Sequence, residues 1–569
     1  MSSRGGRMRS PKGPGPEGGL WKILFAFCVV FALVGVRLFQ LQVVDGGWLS
    51  DAAQQSRSYQ HTIIGKRGTI YDRNGNILAM SVDCRDVTCN PSQIEDPEKA
   101  AEIVAQDLGG EASAYVDSLT GDSTFAYVYR LADEDKAEQL ASDLSDAGIV
   151  GIYFEDNTKR VYPYGSVANQ VLGMVNTDGE GISGIEYQYD DILRGENGAT
   201  YLEQGADGTP IAGSATKASD AADGTDIVLT IDINVQQTAE QAIADGVETY
   251  SAESGSAVVM NPKTGEILAI CSTPFADLSD LSTITNEQLQ LKSVSSSYEP
   301  GSIFKIVTLA AGIESGVLSA DTYYSVPAKI QVGDDMVGDD DDRDYQMDMS
   351  VREIMRRSSN VGAVLMANTV GIKGFTSMMD SLGIGQLTGI DFPGEATGIV
   401  TSADDFTTTT LGAASFGQGI AVPMVQMVRA VGGIANGGVA MTPHLLMAKD
   451  GEEVDWGEGK RVVSESTSQQ VTDVLRTVVQ EGTGEPAQVA GYDVAGKTGT
   501  AEMADESGGG YAKGRLMASM IGYANASDPE VLVYVGLNGT PYLATDSSAH
   551  VFNTIMTEAV GDLGISPAS

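Results

Sequence analysis

One stretch near the start limits this chain more than any other: from Leu20 it reads LWKILFAFCVVFALVGVRLFQLQVV, and from Ile23 to Val36 no side chain is polar. As a helix rising about 1.5 Å per residue, this run is long enough to cross a hydrocarbon core of about 30 Å. Arg37 snorkels at the far side. Ahead of the run stand Arg4, Arg7, Arg9 and Lys12, with Lys22 just inside it, against the single acid Glu17. That bias predicts a cytoplasmic tail over residues 1–19, a single membrane pass over 20–44, and an extracytoplasmic remainder. No small-x-small cleavage site follows the apolar core, so an uncleaved anchor is expected rather than a removed signal peptide.

The remainder is acidic. A formal net charge of -42 argues against a nucleic-acid partner, because binding phosphate requires a basic surface. Four cysteines make no disulfide framework: Cys28 lies in the membrane run and Cys271 in an apolar strand. Cys84 and Cys89 stand five apart in an extended segment, an odd spacing that turns them to opposite faces, so free thiols are expected. His61, His444 and His550 are the only histidines, and none has metal-ligand spacing. No metal site and no Ser-His-Asp mechanism are expected, and no cofactor.

Length permits two or three domains. Residues 45–224 are polar, with short strand-like pieces and a helical stretch expected from Pro97 to about Ala147, and contain no nucleophile-base pair. At Thr225 the texture changes to a short apolar strand, IVLTID, and then to a helix that Asp232 is placed to cap, with Val235, Ala239, Ile243 and Val247 on one stripe. GSAVVMNPKTGEILAICST reads as a hairpin turning at Gly265. LMASMIGYA and EVLVYVGLN form a second strand pair, and Tyr492 to Thr500 ends in another strand. Strands from both ends of a region with helices between them predict an α+β domain over 225–569, one antiparallel sheet flanked by helices. The acidic run GDDDDRD at 338–344 is expected to be a solvated loop.

Three short motifs carry the chemistry. In SYEPGSIFKIV, Ser302 stands at a helix start and Lys305 one turn on, so a lysine amine faces a serine hydroxyl that needs a base to become nucleophilic. In MRRSSNVGAV, Ser358 and Asn360 flank Ser359 before another helix. In VAGKTGTAE, Lys497, Thr498 and Thr500 offer a cationic, hydroxyl-lined edge suited to a carboxylate, and Gly499 lets another backbone approach. Each alone has a bland reading: a capping serine with a surface lysine, a helix cap, a Lys-Thr-Gly turn like that at 263–265. Their order and spacing together are shared by penicillin-binding proteins and class A β-lactamases.

The chain resembles class B penicillin-binding proteins over nearly its whole length. KRGTIYDRNGNILA from Lys66, RVYPYGSVANQVLG from Arg160 and GISGIEYQYDDILRG from Gly181 look like the signatures of that class's non-catalytic pedestal, with Arg160, Gly184 and Glu186 at its usual polar positions. The resemblance implies an elongated mixed α/β pedestal over 45–224 and a penicilloyl-serine transferase, β-lactamase-like domain over 225–569. YEPGS, SSNVG at 358–362 and SFGQG at 415–419 look like the division-type subgroup. A sporulation-specific cross-linker is similar to that subgroup, and the elongation type more often has Asp in place of Asn360.

Carried over, the resemblance implies that Ser302 attacks the penultimate D-Ala carbonyl of a peptidoglycan stem peptide, with Lys305 as base and Ser358 as proton relay. Asn360 would hold the substrate amide; Lys497, Thr498 and Thr500 would hold its terminal carboxylate, with Gly499 in the same substrate-binding strand, and the backbone N–H groups of Ser302 and Thr500 would form the oxyanion hole. β-Lactams would acylate the same serine. The family has no glycosyltransferase domain, so the implied partners are a SEDS-type membrane polymerase and other division membrane proteins. A D,D-carboxypeptidase or β-lactamase passing the acyl group to water, a β-lactam sensor, and a scaffold with a vestigial site are the rival readings. The anchor, the pedestal and the complete motif set weigh against them.

Overall fold

The computed structural model describes residues 16–45, 47–48, 58–203, 216–278, 284–341, 343–504 and 510–567. They fall into two compact units, residues 1–64 with 197–222 and residues 65–196 with 223–569. In the first unit Pro16–Phe39 is α-helical and Gln40–Val44 continues as a π-helical turn. Within the span Gly19–Val44 an 18-residue window reaches a mean hydropathy of 2.3 with none of it buried in the fold, consistent with a single-pass membrane anchor. The unit also holds a three-stranded antiparallel sheet of Ser58–Ile63, Gly198–Glu203 and Thr216–Ser219.

In the second unit the strand Ile77–Cys89 pairs antiparallel with both Ala126–Asp133 and Ile152–Val161. Helices Pro97–Leu108, Ala112–Leu119 and Glu134–Asp146 pack on it, clustering Val104, Leu119 and Leu140 with Val87. The helical stretch expected from Pro97 to Ala147 is therefore interrupted by a strand. The segment AYVYRLAD buries Val128 and Ala132 and exposes Tyr127, a two-residue period that aromatic and β-branched side chains favour. Cys84 and Cys89 are both free and buried on the central strand, and burial with nearby Asp86 pushes the Cys84 thiol up to about 12.

The three signature segments upstream converge on one buried carboxylate. Glu186 is fully buried; its two oxygens accept from Arg67 Nε and Arg160 Nε, each at 2.6 Å. Arg67 also donates to Asp190 at 2.7 Å and Arg160 to the Gly68 carbonyl at 2.8 Å. Removing one partner of such a cluster leaves buried charge uncompensated. Glu186→Gln is accordingly expected to lower unfolding stability by about 3 kcal/mol, read as the shift of the urea midpoint of the extracytoplasmic region.

The strand Ile227–Leu229 runs parallel to Ile70–Tyr71 and antiparallel to Leu446–Lys449, so one sheet includes chain from both sides of residue 225. Beyond it, α1 (Ile233–Thr249) begins on Asp232, whose carboxylate accepts from the Asn234 and Val235 amides. Val235, Ala239 and Ile243 are buried as their spacing predicts, and Val247 is half-buried. β1 (Ser254–Met260) and β2 (Ile267–Ser272) form the expected hairpin, its turn using the positive φ of Gly265, +88°. Next come α2 (Lys305–Glu314) and α3 (Asn360–Leu382). Then β3 (Val494–Ala504), β4 (Tyr511–Ala524) and β5 (Val531–Thr540) complete an antiparallel sheet ordered β2-β1-β5-β4-β3, followed by α4 (Ser548–Asp562).

Both faces of that sheet are covered. Ala257, Val259 and Val533 pack with Ile243 of α1 and Phe552 of α4, while the alternate residues Val258, Met260 and Tyr534 belong to the core that holds Ile306 and Leu309 of α2. β3 is left as an outer strand, with the helix Glu465–Glu481 and the turn Gly301–Phe304 beside it.

Candidate active site

Ser302 lies in a 3-10 turn, Gly301–Phe304, that continues directly into α2. The helix expected there thus begins with a tighter turn, and Lys305 is the first α-helical residue. Ser302 is half-buried, whereas Phe304 and Lys305 are fully buried. Two backbone contacts fix the turn. Gly301 N–H donates to the Gly417 carbonyl at 3.2 Å, and β3 crosses so closely that a Cβ at Gly499 would stand 2.9 Å from both the Pro300 carbonyl oxygen and Ile303 Cγ1. Glycine at 499 is therefore a condition of the strand lying against the turn, as its place in the motif predicts.

The Lys305 amine is the centre of the site. Its Nζ donates to the Ser358 carbonyl at 2.5 Å, to Asn360 Oδ1 at 2.7 Å and to Ser358 Oγ at 3.3 Å. Burial pushes it down to about 7, against the opposing pull of Asp340 and Asp339. From the other side Lys497 Nζ donates to Ser358 Oγ at 2.9 Å and to the Thr498 carbonyl at 3.0 Å. Lys497 is held well below the usual lysine range, first by burial and then by the neighbouring Lys305. Two buried amines thus share one hydroxyl, and burial makes both weaker bases than an exposed lysine.

Ser358 reaches both amines because its backbone is left-handed, φ +60° and ψ 36°, at the end of the helix Val351–Arg357. A non-glycine residue there costs roughly 1 to 3 kcal/mol and persists only where its surroundings hold it. Ser359 follows as the cap of α3, its hydroxyl accepting from Gly362 N–H at 2.9 Å. The acidic run, expected to be a solvated loop, departs from that expectation at two positions. Asp339 and Arg343 have side chains only 7% and 3% exposed and pair at 2.9 Å, because Asp339 also accepts from Ser359 and from the Val361 amide.

On β3 the side chains divide. Thr498 is buried and its hydroxyl pairs with Thr483 at 2.7 Å, while Thr500 Oγ1 accepts from the Ala544 amide at 3.3 Å. Lys305, Ser358, Asn360 and Lys497 are therefore joined directly by hydrogen bonds. Thr498, Gly499 and Thr500 line the adjoining strand, and a Cβ at Gly301 would meet the Thr500 carbonyl oxygen at 2.8 Å. The Ser302 hydroxyl makes no hydrogen bond to any described residue. Sequence reasoning missed Asp339, Gly417 and Thr483; only Gly417 carried a signal, as part of SFGQG. Among the described residues no group of three or more His, Cys, Asp or Glu side chains is placed to hold a metal.

Comparison with known proteins gives two family matches. Residues 62–229 match the Penicillin-binding Protein dimerisation domain, and residues 255–557 match the Penicillin binding protein transpeptidase domain. The chain is 32% identical over 543 residues to the penicillin-binding protein PbpB of Mycobacterium tuberculosis, covering 90% of this chain and 79% of that protein. It is also 32% identical over 573 residues to the stage V sporulation protein D of Bacillus subtilis, covering 96% and 86%. Among solved structures, penicillin binding protein 3 of Mycobacterium tuberculosis complexed with aztreonam is similar at a TM-score of 0.70 and 28% identity, with 89% of this chain and 98% of that one covered.

Proposed function

The chain belongs to the class B penicillin-binding proteins and is a serine-type peptidoglycan D,D-transpeptidase that binds β-lactams; from that premise we propose that Ser302 is its nucleophile and the division septum its place of work. The observation that supports the site assignment above all is the fully buried Lys305 amine, brought to about 7 one turn after Ser302 and bonded to both Ser358 and Asn360. A base is most effective with its pKa near the working pH.

In the proposed reaction the stem peptide's terminal carboxylate meets Lys497, Thr498 and Thr500, and Asn360 Nδ2 meets the substrate amide. Ser302 Oγ attacks the penultimate D-Ala carbonyl carbon while Lys305 Nζ takes the hydroxyl proton. The backbone N–H groups of Ser302 and Thr500 hold the oxyanion, worth about 3 kcal/mol per donor. As the C–N bond breaks, Ser358 Oγ returns a proton to the departing D-Ala nitrogen, leaving an ester on Ser302. A primary amine from a second stem peptide then attacks that ester, loses its proton to Lys305 and forms the cross-link as Ser302 is released. A β-lactam opens on the same hydroxyl.

The proposal places the pedestal at 45–224 and the transpeptidase domain at 225–569, a division supported by the two family matches. It places the tail in the cytoplasm, on the basic residues before the span. It includes a SEDS-type membrane glycosyltransferase and other division proteins, meeting anchor and pedestal, as partners. A sporulation role is the second reading, favoured by the similarity to stage V sporulation protein D.

Two measurements test this. Incubated with a pentapeptide ending in D-Ala-D-Ala and an amine acceptor, the purified protein is expected to release one D-Ala and join the two by a new amide, seen by mass spectrometry. Hydrolysis as the sole outcome would replace transpeptidation by carboxypeptidation. A fluorescent fusion is expected at midcell in dividing cells; confinement to forming spores would favour the second reading.

A further inference from the structure

Asp339 has no assigned role, yet its carboxylate joins two parts of the catalytic region. Oδ1 accepts from the Val361 amide at 3.0 Å and from Ser359 Oγ at 2.9 Å; Oδ2 accepts from Ser359 Oγ at 2.7 Å and from Arg343 Nη2 at 2.9 Å. Arg343 is fixed in turn. Its guanidinium donates to the carbonyls of Val326 at 3.0 Å, Tyr345 at 2.8 Å and Pro327 at 2.9 Å. One carboxylate therefore fastens the first turn of α3 to an arginine whose two Nη groups also hold the backbone at Val326, Pro327 and Tyr345.

The fastened residues, Ser359 and Val361, stand on either side of Asn360, and Ser359 separates it from Ser358; Asn360 and Ser358 are the two groups bonded to Lys305. Ser358 holds a left-handed backbone that relaxes unless its neighbours prevent it. Gly338, the residue before Asp339, adds a contact of its own by accepting from Asn360 Nδ2 at 3.4 Å. We propose that Asp339 is a positioning residue for acyl transfer: through Ser359 and the Val361 amide it locks the Ser358–Asn360 turn against the lysine amines. This rests on the site reading given above.

Asparagine at 339 keeps one acceptor and replaces the other with a donor, which must then face either Arg343 N–H or Val361 N–H. The measurement is the time course of acylation by a fluorescent penicillin, resolved into the half-saturation concentration and the limiting first-order constant, with active sites counted from the labelling amplitude. Asp339→Asn is expected to lower the limiting constant on the order of tenfold or more, the loss typical of a charged hydrogen bond, while the labelled fraction follows the folded fraction. Ser359→Ala, which removes only the hydroxyl, is expected to lower it similarly.

The two changes act on one linkage, so the double variant is expected to be no slower than the slower single. Asp344→Asn, exposed in the same run, is expected to leave both constants unchanged. A limiting constant within twofold of the parent in Asp339→Asn would overturn the proposal, as would losses that multiply in the double variant. If Asp339→Asn does not fold, the same threshold applies to Ser359→Ala. A parent chain that penicillin does not acylate at Ser302 is a different failure, that of the site reading.

Discussion

Replacing Ser302 by alanine is expected to abolish covalent labelling by penicillin altogether, with no slow residual phase. The rival nucleophile is Ser358, and it is a serious one, since both lysine amines donate to its hydroxyl, at 3.3 Å and 2.9 Å. Two features argue for Ser302 instead. It sits where the backbone of β3 at Thr500 lies against the turn, the placement that the proposed oxyanion hole of Ser302 and Thr500 amides requires. Ser358 Oγ is held between two buried amines, as a proton carrier should be, with its carbonyl engaged by one of them. Ser358→Ala is therefore expected to retain slow labelling while Ser302→Ala retains none. The Ser302 hydroxyl makes no hydrogen bond to a described residue, so the alanine variant should unfold within about 0.5 kcal/mol of the parent. A penicilloyl adduct mapped by mass spectrometry to the peptide containing Ser358 would overturn the assignment.

The parts of this site that were legible in the sequence are those fixed by local spacing. Ser302 and Lys305 are one helical turn apart whatever else the chain does, and the hairpins around Gly265 and between β4 and β5 announce themselves by alternation and turn residues. Asp232 as a cap is equally local. What escaped depends on distant partners. Asp339 is one acid in an acidic run, and nothing in the run says that its carboxylate meets a cap about twenty residues downstream. Thr483 pairs with Thr498 across a turn that no motif marks. The strand Ala126–Asp133 was hidden in an Ala/Glu/Asp-rich context, and pairing with Ile77–Cys89 decided its conformation. The sheet that joins Ile70–Tyr71, Ile227–Leu229 and Leu446–Lys449 is likewise a tertiary fact.

Removing the Lys305 amine should be nearly as damaging as removing the hydroxyl, and its pH dependence identifies the cause. General-base catalysis is typically worth about a hundredfold to ten-thousandfold, so Lys305→Ala is expected to slow acylation by roughly that factor. In the parent only the neutral amine accepts the Ser302 proton. Burial places its titration near 7, so the limiting acylation constant should rise with pH through about 7 and level off above it. The acidic groups near Lys305, Asp339 and Asp340, oppose that lowering, and the nearby Lys497 is held well below its own usual range. In Lys305→Ala the rise through 7 should disappear; its persistence, or full activity in the variant, would assign the base elsewhere. Stability supplies an independent sign. A lysine titrating near 7 when folded and 10.5 when unfolded binds fewer protons in the fold between those values, so its cost to stability is greatest below about pH 7 and is relieved as pH rises toward 10.5. The parent should therefore gain stability relative to Lys305→Ala between about pH 6 and pH 9, measured by urea unfolding at each pH. An unchanged difference would mean that the amine is not the buried, weakly basic group on which the proton transfer depends.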